Sequence, residues 1–209
     1  MGKKAKEKDP NSIRRKKQML VSVFSTALVV VLIFSLLDFV KLIGTDPSAF
    51  EMRYESDEKF SQAGKVYSLY ISGEYYGTVD QNKYCMLDED GNTDYKYCAL
   101  MEQASRFTYI LVLSVMLYLV LLIAKNTLDD APFIRENIKL VKVIALMQLL
   151  LGILPGVVRT IMSFVRFDYS STVLDEKWLY MVIIAFVIGA LAVIFEKGLS
   201  LKEDVDSIA

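Results

Sequence analysis

The stretch MLVSVFSTALVVVLIFSLL, residues 19–37, runs for nineteen residues without a charge. Coiled as a helix at 1.5 Å per residue it measures about 28 Å, close to the hydrocarbon thickness of a bilayer. Three further uncharged blocks follow: Phe107 to Ala124, Val143 to Val158 and Leu179 to Phe195. They span roughly 24–27 Å each, enough to cross once flanking residues snorkel. In lipid only a helix satisfies every backbone hydrogen bond within one segment. Barrel strands would instead alternate over about ten residues. The expected fold class is all-α in the membrane: a bundle of four transmembrane helices, with a small β-containing extracellular domain between the first and second.

Composition agrees. Of the 209 residues, 54% are hydrophobic, and the mean hydropathy is +0.35; a soluble domain has about 45–50% apolar residues. The net charge of -1 is uninformative beside the placement of the 24 basic residues. Lys3, Lys4, Lys6, Lys8, Arg14, Arg15, Lys16 and Lys17 all precede the first span, so the positive-inside rule puts the amino terminus in the cytoplasm. Segments then follow in order: a basic terminus 1–18, spans at 19–43, 107–124, 143–165 and 179–195, an outer loop 44–106, an inner loop 125–142, a short outer loop 166–178 and a cytoplasmic tail 196–209. Lys125, Arg135, Lys139 and Lys142 fall inside, and both termini are cytoplasmic in a multi-pass plasma-membrane protein. The first span is longer than a signal-peptide core of about 7–15 residues and lacks a small-residue cleavage pattern, so it reads as an uncleaved anchor. Gly2 does not signal myristoylation, because Lys6 stands where Ser or Thr is required. The basic flank is attracted to anionic lipid.

The outer loop contains twelve acidic and six basic residues and eight tyrosines. Val66, Ser68, Tyr70 and Ser72 alternate with Tyr67, Leu69 and Ile71, the pattern of a strand, and Gly73 or Gly77 turns it toward Tyr75, Tyr76 and Val79. The tyrosines suit a half-buried sheet or the membrane interface better than a ligand surface. Both cysteines of the chain, Cys85 and Cys98, lie here, where an outward-facing loop allows a disulfide. With Gly91 and Asn92 as the turn of a hairpin, Leu87 faces Lys96 and Cys85 faces Cys98, about 4.5 Å apart at Cα in a non-hydrogen-bonded pair. A turn on Asp90 and Gly91 instead sets Cys85 against Lys96. A metal site is the weaker alternative, since the chain has no histidine.

On the inner side Asp130, Pro132, Phe133, Arg135 and Glu136 mark a helix start. The third helix therefore begins before the membrane, with Ile134, Ile138 and Val141 set among Arg135, Lys139 and Lys142 at headgroup level. Within the spans, Gly152 and Gly156, and Ala185 and Gly189, have the small-xxx-small spacing of close helix packing; the pattern leaves self-association open. Pro155 predicts a kink. Asp38 and Arg159 occupy similar depth by residue count, and intramembrane charges pair, so they are the expected ion pair.

Ala131-Pro132-Phe133-Ile134-Arg135-Glu136-Asn137, and the run from Ile194 through Glu196, Lys197, Gly198, Leu199, Ser200, Leu201, Lys202, Glu203 and Asp204 to Val205 and Asp206, resemble the bacterial four-helix membrane family called domain of unknown function 2975. The long, cysteine-bearing loop has no counterpart in that pattern. The resemblance implies a membrane protein that restrains a cytosolic helix-turn-helix transcription regulator. A tail in which Leu199, Leu201, Val205 and Ile208 interleave with charges offers a surface to a partner helix. Phe133, Arg135, Leu199, Leu201, Val205 and Asp206 are the candidate partner-binding residues.

Other functions fit less well. Without histidine, a phosphate-binding glycine loop or a Ser-centred nucleophile motif, an enzyme is not expected, nor is a cofactor or metal. The short basic terminus has no recognition-helix pattern, so direct nucleic-acid binding is not expected. A transporter accessory subunit predicts several polar residues at mid-membrane depth, and only Gln148 is found. A claudin-like adhesion protein is similar in its large first outer loop with a cysteine pair, yet the sole tryptophan, Trp178, stands at the start of the fourth span.

Overall fold

The computed structural model describes residues 10–55, 66–79, 84, 86–87, 90–127, 134–167 and 177–208. Four long helices carry the charge-free blocks: α1 (Pro10–Gly44), α2 (Tyr95–Asn126), α3 (Arg135–Phe167) and α4 (Lys177–Ile208). Each is long and apolar enough to cross a membrane. Their hydrophobic residues are not confined to one face. Val165, Phe186, Phe34 and Ile194 remain 76, 72, 64 and 62% exposed, which a helix tolerates where lipid is the solvent. Thr26 on α1 satisfies its hydroxyl internally, its Oγ1 donating to the Ser22 carbonyl at 3.0 Å.

Between α1 and α2 lies an antiparallel sheet of β1 (Phe50–Glu55), β2 (Val66–Ile71) and β3 (Glu74–Val79), in the order β1-β2-β3. Thr45 Oγ1 donates to the Lys41 carbonyl as α1 ends. Asp46 then accepts from the Ser48 amide and hydroxyl, at 2.8 and 2.6 Å, and opens one 3-10 turn over Pro47–Ala49. Those two hydrogen bonds hold the Asp46 carboxyl below its usual range. The expected hairpin is present, turning at Gly73: Ser72 and Gly73 both take positive φ, 53° and 82°, as a two-residue hairpin turn requires. The register runs Ile71 to Glu74 and Tyr70 to Tyr75, then resumes at Leu69 to Gly77, leaving Tyr76 as the bulged residue. The tyrosines pair across strands. Tyr54 packs on Tyr67 with centroids 5.6 Å apart, Tyr70 on Tyr75 at 5.9 Å, and the Arg53 guanidinium lies 4.4 Å from the Tyr70 ring centroid.

Two compact units share the helices. The sheet unit takes α1 from Phe34, the strands, α2 as far as Tyr109 and α3 from Leu154. Its core gathers Leu42, Phe50, Leu69, Tyr84, Met86, Cys98, Met101 and Phe167. Lys96 Nζ ties α2 to the end of α1 through the Ile43 carbonyl at 2.8 Å, and Tyr97 Oη donates to the Met162 carbonyl at 2.8 Å. Residues 95–106, expected in the loop, are instead the first three turns of α2: Asp94 caps it, accepting from the Tyr97 amide at 2.9 Å. α4 continues beyond residue 195, through the segment expected as the cytoplasmic tail, to Ile208.

The helical unit takes the rest of α1, α2 and α3 and all of α4. There α3 and α4 touch closely. Gln148 Nε2 donates to Met181 Sδ at 2.9 Å. A Cβ added at Gly152 would stand 2.9 Å from Met181 Cβ, whereas one added at Gly189 meets nothing within 4 Å. Gly152 is therefore a packing glycine, and Gly189 is not. Gly152→Ala is expected to destabilise the purified protein by about 1–3 kcal/mol through overpacking. Gly189→Ala should leave it unchanged or stabilise it by up to ~1 kcal/mol through helix propensity; thermal melts of the two variants in detergent, compared side by side, check the contrast.

Candidate functional site

Two charged pairs clasp the start of α3 to the end of α4. Arg135 Nη2 lies 2.8 Å from Glu203 Oε2, and Lys142 Nζ lies 2.8 Å from Glu196 Oε2. On each helix the paired residues are seven apart, two turns on one face, so the pairs are successive rungs of a single antiparallel register. All four side chains are solvated, and such pairs add little to stability; what they fix is alignment. Behind them Asn137 is buried and its Oδ1 accepts from Asn126 Nδ2 at 2.9 Å, joining the end of α2 to the start of α3.

The candidate partner-binding residues divide on this frame. Arg135 is engaged by Glu203. Leu199 is partly buried and lines the α3–α4 seam beside Arg135 and Lys142. Leu201 and Val205 are 59 and 65% exposed, with Asp206 exposed beside them. At 100° per residue Leu201 and Val205 share a helix face that Leu199 does not, so the apolar stripe expected from the sequence splits in two. Phe133 lies outside the described residues, as do Asp130 and Pro132.

The other cluster with chemical character is in the sheet unit. Arg159 of α3 is 5% exposed, and its Nη1 meets Glu102 Oε1 of α2. Asp38, the partner expected from the sequence, is exposed and does not meet it. Depth alone points to Asp38; azimuth around the helix decides for Glu102, which lies in the stretch expected as loop. A signal for it was present, because Asp94 before Tyr95 is a helix cap that brings Glu102 onto a helix. Next to the pair, Ser105 Oγ donates to the Pro155 carbonyl at 3.0 Å, and α3 continues as helix through Pro155.

The cysteine register is also corrected. Leu87 bridges Thr93, with Gly91 at φ 77° in the turn between them, so neither register considered for the hairpin is the one formed. Cys98 is on α2, fully enclosed, and not on a strand facing Cys85. Cys85 itself lies outside the described residues, and no disulfide occurs among the described ones.

Near this core Tyr84 is 6% exposed. Burial pushes its phenol well above the ordinary value of 10.0, and the Glu102 carboxylate adds to the shift. The neutral phenol is thus the form that the folded state favours. Its contribution to stability is complete below pH 10.0 and declines as the pH rises from there toward the higher folded value. Alkaline melts should show wild type losing stability above that pH more steeply than Tyr84→Phe. For the ion pair, Glu102→Gln strands a buried guanidinium and is expected to cost about 3 kcal/mol, whereas Asp38→Asn costs less than ~0.5; detergent melting curves distinguish the two.

No protein-family model matches this sequence, and no curated protein or solved structure matches it.

Proposed function

We propose that this chain is a regulatory membrane protein of the plasma membrane, with both termini in the cytoplasm, which docks and restrains a cytosolic helix-turn-helix transcription regulator on the end of α4. One observation carries the reading. α4 continues as a helix beyond the Glu203 rung, and Leu201 and Val205 stay exposed on it between Glu203, Asp204 and Asp206. No basic residue occupies its last turn, so the acidic side chains face the negative end of the helix dipole. A basic, apolar-faced partner helix relieves that repulsion and covers the two apolar side chains. The resemblance of residues 131–137 and 194–206 to domain of unknown function 2975 supports the same partner class. The basic flank before α1 supports the orientation.

Co-purification from the native cell is expected to recover a small helix-turn-helix protein with the intact chain. It should be lost with Leu201→Glu/Val205→Glu, substitutions at exposed positions that leave the fold alone. An unchanged yield of that protein with the double variant would remove the assigned site. An epitope at residue 1 should stay inaccessible to antibody in unbroken cells and become accessible once the membrane is permeabilised.

A further inference from the structure

Two cavities lie end to end along the seam between α3 and α4. The first, about 420 Å³, is walled by charged and polar groups, chiefly Arg135, Lys139 and Lys142 of α3 with Glu196, Ser200 and Glu203 of α4. The second, about 460 Å³, is walled by carbon, with Leu146 and Leu149 of α3 facing Phe186, Gly189 and Val193 of α4. Their linings are continuous. On α3 positions 135, 139, 142, 146 and 149 step by four and three residues along one face, and on α4 positions 203, 200, 196, 193, 189 and 186 do the same. From residue 135 to 149 the trough extends about 21 Å. It begins in charge and ends in hydrocarbon.

The charge within it is unbalanced at one place. Arg135 and Lys142 each have a carboxylate opposite. Lys139, one turn from each, forms no ion pair among the described residues, and Ser200, between Glu196 and Glu203 on α4, lines the same cavity. An ammonium beside a hydroxyl donor, between two satisfied rungs, attracts a single anionic group. Farther along, Gly189 opens onto empty space. Its lack of a side chain serves no contact among the described residues, and it widens the carbon-walled trough.

We propose that this seam is a binding site for one anionic phospholipid, its phosphate held by Lys139 and Ser200 and one acyl chain laid along the trough past Gly189. A free phosphate accounts for the first cavity and leaves the second without an occupant; a neutral lipid does the reverse. Only a molecule with both parts uses the whole length. A volume near 460 Å³ is within the ~300–1,000 Å³ range of small-molecule sites.

The test uses the purified full chain in detergent, without any regulator, so its outcome is independent of the docking proposed above. Native mass spectrometry counts the phosphatidylglycerol and phosphatidylcholine retained from an equimolar mixture. Wild type is expected to prefer phosphatidylglycerol by about fivefold, the effect of one lysine near an anionic headgroup. Lys139→Gln should abolish the preference while still retaining lipid, and Gly189→Leu should lower retention of both lipids by closing the trough. Melting curves confirm that both variants are folded. Equal retention of the two lipids by wild type, or wild-type behaviour in both variants, overturns the proposal. Displacement of phosphatidylglycerol by millimolar inorganic phosphate overturns it in favour of an ion site, and a dimer abolished by Gly189→Leu overturns it in favour of a second copy in the trough.

Discussion

Hydrocarbon as the solvent for four helices is the constraint under which the rest of this structure makes sense. The helices leave Val29, Ile33, Phe34, Val165, Phe186 and Val193 mostly uncovered. Burying one such side chain is worth about 1.5–3 kcal/mol, and dozens of them in water would outweigh a net folding stability of about 5–15 kcal/mol. The same solvent makes polar groups expensive, and several on the helices turn to the chain. Thr26 and Thr108 donate to carbonyls one turn back, Gln148 to the Met181 sulfur, and Ser163 to the Thr160 carbonyl. Arg159 obeys the same rule at higher stakes: its burial requires Glu102.

The sheet unit is built on a different principle. Its strands are short, and Leu42, Phe50, Leu69 and Met101 gather into a core of its own. Leu69 and Ser68 are both enclosed although they point to opposite faces of β2, which is the middle strand. That is why β2 is the strand most visible in the sequence. β1 is less visible, since Phe50, Glu51, Met52, Arg53, Tyr54 and Glu55 alternate but carry three charges. Glu51 and Arg53 satisfy each other on one face at 2.7 Å, holding the Glu51 carboxyl below its usual range.

What the sequence disclosed followed the reach of each signal. Hydropathy blocks reported four helices, because lipid demands an uninterrupted run, and alternation reported a hairpin turning at Gly73 or Gly77, of which the structure uses Gly73, with Ser72 in the turn beside it. Helix ends were less legible. Tyr95 to Arg106 is polar enough to pass for loop, and the Gly91 turn attracted a hairpin reading that placed Cys98 on a strand, while the Asp94 cap had already begun α2. Ion pairing was the least legible of all. Residue count gives depth along a helix but not which neighbour its side chain faces, so depth points to Asp38 where the structure pairs Arg159 with Glu102.

The two glycines of the α3–α4 pair show how one motif can hold two meanings. Gly152 and Gly189 both stand in small-xxx-small spacing, and periodicity treats them alike. Geometry separates them, since Gly152 is pressed against Met181 and Gly189 faces open space. A glycine in a helix is less favourable than alanine by about 1 kcal/mol. At Gly152 the close approach of α4 offsets this. At Gly189 no close contact among the described residues does so. The rungs at Arg135 with Glu203 and Lys142 with Glu196 hold the two helices in the one register that aligns Lys139 with Ser200 and leads from them to that opening. The exposed ion pairs thus matter less for the stability they add than for the seam they align.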